Sequence, residues 1–300
     1  MEVIGERAAF RAACESARRA GAIVGLVPTM GALHEGHRSL LTAAREQTGF
    51  VAMTLFVNPL QFGQSEDLQT YPRTLEADLE VAERAGCDLV FHPSVAEMYP
   101  AGEPEVTVDP GPLGDRLEGA ERPGHFRGVL TVVAKLLHLV APQLAFFGQK
   151  DAHQLLLIRR MVRDLDLPVE VVPCPTVREP DGLALSSRNA RLSSEERTAA
   201  AVLWRALSDG RGLVERGVHE ARWIREEMAG VVAEEPLAHL GYAAVVDPET
   251  WEDVDRIRRP VRLLVAARIG GTRLIDNTAA APPAFASKES TVGGPGERGE

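Results

Sequence analysis

Two histidines three residues apart, His34 and His37, close the segment Pro28-Thr29-Met30-Gly31-Ala32-Leu33-His34-Glu35-Gly36-His37. An apolar run at 23–27 precedes it and a helix-patterned stretch at 37–46 follows, so it reads as a turn between a buried strand and a helix. A helix N-terminus offers unpaired N–H groups and partial positive charge, which suit a nucleotide phosphate. Imidazoles add donors that can follow charge as it moves, as nucleotidyl transfer requires. Two other readings compete. The pair could ligate zinc, but the known zinc helix motif spaces its histidines one residue further apart, and no third ligand is evident nearby. Each ring could instead be satisfied by a backbone carbonyl, the default for an isolated pair. Gly36 favours phosphate, because a residue without Cβ lets the backbone approach a ligand.

The elements that must position this turn alternate. Strand patterns at 23–27, 51–57, 88–92, 144–147 and 169–172 are separated by helical patterns at 37–46, 74–85, 129–140 and 152–164. Alternation of this kind implies a parallel sheet covered on both faces, with ligands outside the carboxyl ends of its strands. The loops at those ends are rich in ligand-competent residues. They are 29–37, Asn58 to Gly63 with Gln61, Gly148-Gln149-Lys150-Asp151, and Leu185-Ser186-Ser187-Arg188-Asn189. Each loop alone is weak; Lys150 could be a surface lysine paired with Asp151, and Gln61 or Gln154 a surface amide. Their agreement on one edge selects phosphate for the histidine pair. Lys150 is a mobile point charge suited to phosphate. Arg188 adds a forked cation beside two hydroxyls, and Gln61 and Gln154 suit an uncharged polar contact to a hydroxy acid. His125 could also line the site.

Composition excludes some alternatives. The 300 residues carry a formal net charge of −10, with 45% hydrophobic and 25% charged residues. That argues against nonspecific nucleic-acid binding and requires a local positive cluster for an anionic substrate. No apolar run approaches the ~20 residues of a membrane span. Residues 1–22 lack a signal-peptide core and read as a leading amphipathic helix. Cys14, Cys87 and Cys174 share no metal or redox spacing; buried thiols in a reducing, cytoplasmic compartment fit them best.

The chain changes character after about residue 176. A capping box at Ser193 to Glu196 opens a helix expected to run to 208. A second helix is expected over 212–228, followed by strands at 242–246, 262–268 and 272–276, the last two joined by a hairpin at 269–271. The expected organisation is α/β. A Rossmann-like doubly wound parallel sheet spans 1–176, a smaller C-terminal α+β lid domain spans 177–281, and a Pro/Gly/Ser/Glu-rich tail at 282–300 is expected to be disordered.

The motifs PTMGALHEGH (28–37), FVNPLQF (56–62), YPRT (71–74), GHFRG (124–128), GQKD (148–151) and LALSSRN (183–189), in this order and spacing, resemble the pantothenate synthetase (pantoate–β-alanine ligase) family. The likeness runs from about 20 to 280, and HxGH alone would indicate only the wider nucleotidyltransferase superfamily. The resemblance implies ATP-dependent joining of pantoate to β-alanine through a pantoyl adenylate, with AMP and pyrophosphate released, in a cytoplasmic homodimer using Mg2+. It implies that Met30, Gly31, Ala32, Leu33, His34, Glu35, Gly36 and His37 contact ATP, the two histidines near the phosphates. Gly148, Gln149, Lys150 and Asp151 would also bind ATP, Lys150 at phosphate and Asp151 at ribose. Val177, Leu185, Ser186, Ser187 and Arg188 would close over the nucleotide. Gln61 and Gln154 would hold pantoate, with Gln61 near β-alanine as well. Asp78 resembles an acidic position near magnesium, the metal being held mostly by phosphate oxygens. His37, the family's assigned proton donor, reads better as a stabiliser of charge on the α-phosphate, because attack by a carboxylate needs no deprotonation.

The chain departs from the family pattern at Gln149, where Glu is usual, at Ala77, where some members are acidic, and at Ala152-His153, in place of a more familiar aromatic-Gln pair. No proposed chemical role is lost. Another HxGH-type nucleotidyltransferase acting on a small acceptor is the alternative; a phosphorylated acceptor would need more basic residues. Intact His34, His37, Lys150 and Arg188 argue against a degenerate nucleotide-binding module. A tRNA synthetase would need a basic surface and an anticodon-binding extension, and neither is evident.

Overall fold

Short runs of branched and aromatic residues, buried on both faces, make the strands of a parallel sheet. The computed structural model describes residues 1–63, 68 and 71–286. Its first part runs β1 (Glu2–Ile4), α1 (Arg7–Arg19), β2 (Val24–Thr29), α2 (Glu35–Gln47), β3 (Phe50–Leu55), α3 (Leu75–Arg84), β4 (Leu89–Phe91), α4 (Val95–Met98), α5 (Glu118–Glu121), α6 (His125–Val140), β5 (Leu144–Gly148), α7 (Ala152–Asp164) and β6 (Glu170–Cys174). The sheet order is β1-β4-β3-β2-β5-β6, and neighbouring strands are parallel. Winding proceeds outward from β2 through β3 to β4, then returns to β2's other side for β5 and β6. The crevice between the carboxyl ends of β2 and β5 is therefore the topological switch point, where ligands bind in such folds.

Alternation along the strands divides the core between the two faces. Val24, Leu26, Ala52 and Leu89 pack with Phe10 of α1 and with Phe126, Leu130 and Leu137 of α6. Val27, Val51, Met53 and Phe146 pack with Leu40, Leu41 and Ala44 of α2 and Ala82 of α3. Phe10 stacks on Phe91 at 4.4 Å between ring centroids, both fully buried. Truncating either to Ala removes about 3–5 kcal/mol.

The second part runs α8 (Ser194–Ala199), α9 (Val202–Glu215), α10 (Ala221–Ala233), β7 (Ala238–Val246), β8 (Val261–Ile269), β9 (Thr272–Ala280) and α11 (Pro283–Ala286). Its strands form an antiparallel sheet in the order β7-β8-β9. Leu203, Leu207, Ile224 and Met228 of α9 and α10 share one core with Leu263, Val265 and Leu274.

The chain divides into two compact units, Met1–Val177 with Leu185–Ser187, and Arg178–Ala184 with the remainder from Arg188. Segment 178–184 is anchored within the second unit. Arg178 makes a two-pronged ion pair with buried Asp276 at 2.6 and 3.0 Å and stacks its guanidinium 3.7 Å from the Trp204 ring centroid. Gly182, at φ +91°, is essential there, since a Cβ would fall 1.8 Å from the Trp204 ring.

Several boundaries differ from the sequence reading. Residues 1–22 are not one helix: 2–4 form an edge strand beside β4, too short to show a period. The helix expected over 193–208 is broken at 200–201 between α8 and α9. The helix expected over 212–228 is two helices. Gly217, at φ +90°, donates to the Val214 carbonyl (2.9 Å) and Val218 to that of Leu213 (3.0 Å), a left-handed C-terminal stop that ends α9 before α10 begins at Ala221. Residues 283–286 form the short helix α11 rather than part of a disordered tail; the rest of the expected tail, 287–300, lies outside the described residues. No helix among the described residues is long and apolar enough to cross a membrane.

Candidate active site

At the end of β2 the backbone turns left-handed at Gly31 (φ +88°) and Ala32 (φ +51°). A β-carbon at such a φ costs roughly 1–2 kcal/mol, so Ala32 must be held there. Buried Asp78, in the first turn of α3, supplies the hold. Its Oδ2 accepts from the Ala32 N–H at 3.0 Å and its Oδ1 from the Leu33 N–H at 2.7 Å. The Thr74 hydroxyl donates to Oδ1 at 3.1 Å. The sequence reading set Asp78 near magnesium, whereas the structure uses both its oxygens to clamp the 31–33 loop. Among the described residues no cluster of three or more His, Cys, Asp or Glu side chains has the arrangement of a metal site.

The loop delivers His34 to the N-cap of α2, where the two histidines form a reciprocal capping box. His34 Nδ1 accepts from the Gly36 N–H at 3.1 Å, and His37 Nδ1 from the His34 N–H at 3.3 Å. The ring centroids lie 4.2 Å apart. A nitrogen that accepts from an amide carries no proton, so in both rings the proton of the neutral form resides on Nε2. The rings stay neutral. Burial, then the Lys150 charge, lower His34 to about 4, with Asp151 opposing. Burial, then His34, lower His37 to about 3. Two neutral Nε2–H donors thus stand at a helix N-terminus, with Lys150 and Asp151 close enough to act on both rings. Gly36 has a different purpose from the one its sequence context suggests: a Cβ there would lie 2.9 Å from His34 Cε1 and 3.0 Å from Nδ1. It makes room for the cap.

Glu35 stands apart from the other residues of this turn, because its exposed carboxylate pairs with Arg38 at 2.7–2.8 Å through Nε. Gly148 ends β5, and Gln149, Lys150 and Asp151 form a single 3-10 turn that leads into α7. Lys150 Nζ lies 3.6 Å from Asp151 Oδ1. The side chain of Gln154, half-buried in the first turn of α7, makes no hydrogen bond to the described residues.

Gln61 is the most constrained of the predicted residues. Its Oε1 accepts from Asn58 Nδ2 at 3.1 Å, and Asn58 Nδ2 also donates to the Gly128 carbonyl at 3.1 Å. The Tyr99 hydroxyl donates to Asn58 Oδ1 at 2.8 Å, which sets the Asn58 amide and hence that of Gln61. Gln61 Nε2 is left facing Met30 Sδ at 3.1 Å. A thioether is a weak acceptor, so this amide is a donor in search of a better partner. His125 Nδ1 donates to the Gln61 carbonyl at 2.8 Å, and Arg122 Nη1 lies 3.1 Å from its other nitrogen. His125 thus supports the site from behind. Gly128 lets α6 pack against this loop, as a Cβ would fall 2.2 Å from the Leu60 carbonyl oxygen. Tyr99 and Asp78 as supports were not legible in the sequence, since both act across the fold from distant elements.

Val177 accepts from the Leu185 N–H at 3.0 Å. Leu185 Cβ lies 3.9 Å from where a Cβ on Gly36 would stand, and the Ser187 hydroxyl lies 3.3 Å from that of Tyr71. Residues 185–187, Ser186 included, thus belong to the first unit, whereas Arg188 belongs to the second.

Comparison with known proteins identifies the family and the fold. The family model for pantoate-beta-alanine ligase matches residues 2–279. A pantothenate synthetase of Rubrobacter xylanophilus is 55% identical over 87% of this chain and 92% of its own length. The crystal structure of pantothenate synthetase from Thermus thermophilus superposes with a TM-score of 0.88 at 48% identity, covering 94% of this chain and all of that one. A pantoate-beta-alanine ligase from Francisella tularensis, crystallised with a β,γ ATP compound and β-alanine, gives a TM-score of 0.77 at 33% identity over 93% of this chain and 97% of its own. The chain belongs to the pantoate–β-alanine ligase family.

Proposed function

We propose that the protein joins (R)-pantoate to β-alanine at the expense of ATP. A pantoate carboxylate oxygen attacks the α-phosphorus of ATP, and the α–β bridging oxygen departs with pyrophosphate. The β-alanine amine then attacks the acyl carbon of the pantoyl adenylate, loses a proton, and expels AMP. The first step makes a carboxylate into an acyl donor with a good leaving group.

The observation that carries this reading is the pair of neutral Nε2–H donors at the N-terminus of α2, beside Lys150 and the oriented Gln61 amide. His37 donates to the α-phosphate as charge builds on its oxygens, and His34 acts on the neighbouring phosphates. A neutral ring donates without giving up its proton, consistent with a nucleophile that needs no base. Hydrogen bonds that strengthen only in the transition state raise kcat. Lys150 takes phosphate charge and Asp151 the ribose. Gln61 Nε2 leaves Met30 for pantoate and lies close to the incoming β-alanine, with Gln154 holding the other side of pantoate. Val177 and residues 185–187 close over the nucleotide. Asp78 is committed to the loop, so a magnesium ion accompanying ATP would be held by phosphate oxygens and would neutralise phosphate charge there. The protein works in the cytoplasm as a homodimer.

The test is AMP release with ATP and pantoate, with and without β-alanine. Pantoate-dependent pyrophosphate release, and AMP release that also requires β-alanine, are the expected results. Robust AMP release that ignores pantoate refutes the reading.

A further inference from the structure

Away from the switch point, a cavity of about 360 Å³ opens between α1, α6 and segment 104–108. Its volume falls in the range of small-molecule sites, roughly 300–1,000 Å³. Every charged group lining it is a cation. Arg7 and Arg11 stand one turn apart on α1, and Lys135, with His138 beside it, stands on α6. No acidic side chain lines it, in a chain of net charge −10.

These cations lack sufficient counter-charge. Arg7 is joined to Glu97 Oε1 through its backbone N–H at 2.9 Å and through Nε at 3.2 Å. Among the described residues, Arg11 and Lys135 pair with no carboxylate. Lys135 instead lies 5.4 Å from the centroid of the Tyr99 ring, and burial followed by the Arg7 charge lowers its affinity for a proton. Like charges gathered at a concave, partly apolar surface repel each other and are stabilised when an anion enters. The remaining lining is mixed: Met98, Val108, Ala134 and Leu139 offer apolar contact, and the Thr131 hydroxyl is already held, accepting from the Val108 N–H at 3.0 Å. Such walls suit the body of a molecule whose anionic group meets the cations.

We propose that this cavity is a second ligand site, taking a small organic anion with an apolar body, its anionic group held by Arg11, Lys135 and Arg7. The site shares none of the residues assigned to ATP, pantoate or β-alanine.

Titration calorimetry of the full chain with phenyl phosphate, phenylacetate and benzyl alcohol tests this. The Arg11→Gln/Lys135→Met double variant, which keeps an aliphatic stem over Tyr99, is the comparison. At least one of the two anions should bind, more tightly than the neutral alcohol. The double variant should weaken that binding by about tenfold or more, the scale of a lost charge-assisted contact, while ligase turnover stays unchanged as the control for folding. The tighter of the two anions identifies the head group as phosphate or carboxylate. Binding of neither anion, binding that survives the double variant intact, or equal binding of benzyl alcohol overturns the proposal.

Discussion

Substituting Asp78 by Asn separates a loop clamp from a magnesium ligand. The carboxylate accepts two backbone N–H bonds, from Ala32 at 3.0 Å and Leu33 at 2.7 Å, and a hydroxyl bond from Thr74. An Asn amide offers one oxygen and turns an NH2 toward the other backbone donor. Each hydrogen bond to a charged group contributes about 1.5–3 kcal/mol, against about 0.5–1.5 for a neutral one. The net loss is therefore about 2–4 kcal/mol, with the left-handed Ala32 no longer held. If nucleotide binding must restore the loop, kcat/KM for ATP falls by about 30- to 1,000-fold. Initial rates of pyrophosphate release would be measured over a matrix of ATP and magnesium concentrations. The clamp predicts a loss that added magnesium does not repair. Ala32→Gly, which removes the cost of positive φ, should recover part of it. Near-normal kcat/KM for ATP at saturating magnesium, with a raised magnesium requirement, would refute the clamp and make Asp78 a metal ligand.

Other expectations can be checked alongside it. Gly36→Ala puts a methyl 2.9–3.0 Å from the His34 ring, so adenylation should fall at least tenfold while the thermal midpoint moves little; unchanged kinetics would mean the cap is dispensable. Tyr99→Phe leaves Asn58 Oδ1 with only the longer bond from the Leu60 N–H at 3.3 Å, and loss of about 1–2 kcal/mol should raise KM for pantoate several-fold and leave KM for ATP alone. Parallel rises in both would point to general disruption. Because His34 and His37 are neutral in the folded chain, protons bind the unfolded chain first as pH falls. Stability present above about pH 6.5 is lost below it, down to about 4 for His34 and about 3 for His37, at up to about 1.4 kcal/mol per pH unit for each ring. Urea unfolding midpoints between pH 7 and 4 would show this, and the slope should shrink in His37→Gln; a slope identical to the parent's would mean that the ring is protonated in the native state.

Much of the site was legible from local chemistry. The alternation of apolar runs and helical patterns identified β2 to β6 and, between them, α2, α3, α6 and α7, because burial on both faces and a one-sided helical stripe leave distinct periods; the single-turn α4 and α5 are too short to show one. The rule that ligands gather at strand carboxyl ends then collected His34, His37, Gln61 and Lys150 as candidates before any contact was known. Three-residue β1 escaped because it is too short to carry a period and is defined only by pairing with β4. The stop at Gly217 was present in the sequence, and the helix prediction across it went wrong by reading the apolar stripe without its glycine.

What sequence alone determined, then, was the inventory: which residue types stand at which strand ends, and that they suit phosphate and a hydroxy acid. Their states were decided by the tertiary structure. That His34 and His37 cap a helix through Nδ1 and so present neutral Nε2–H groups depends on backbone directions and on burial. That Asp78 holds a loop 45 residues away in sequence, and that Tyr99 sets the face Gln61 presents, are contacts between elements far apart in the chain. Residue spacing reports geometry within one helix or strand; proton positions and amide orientations depend on neighbours that only folding brings within hydrogen-bond reach.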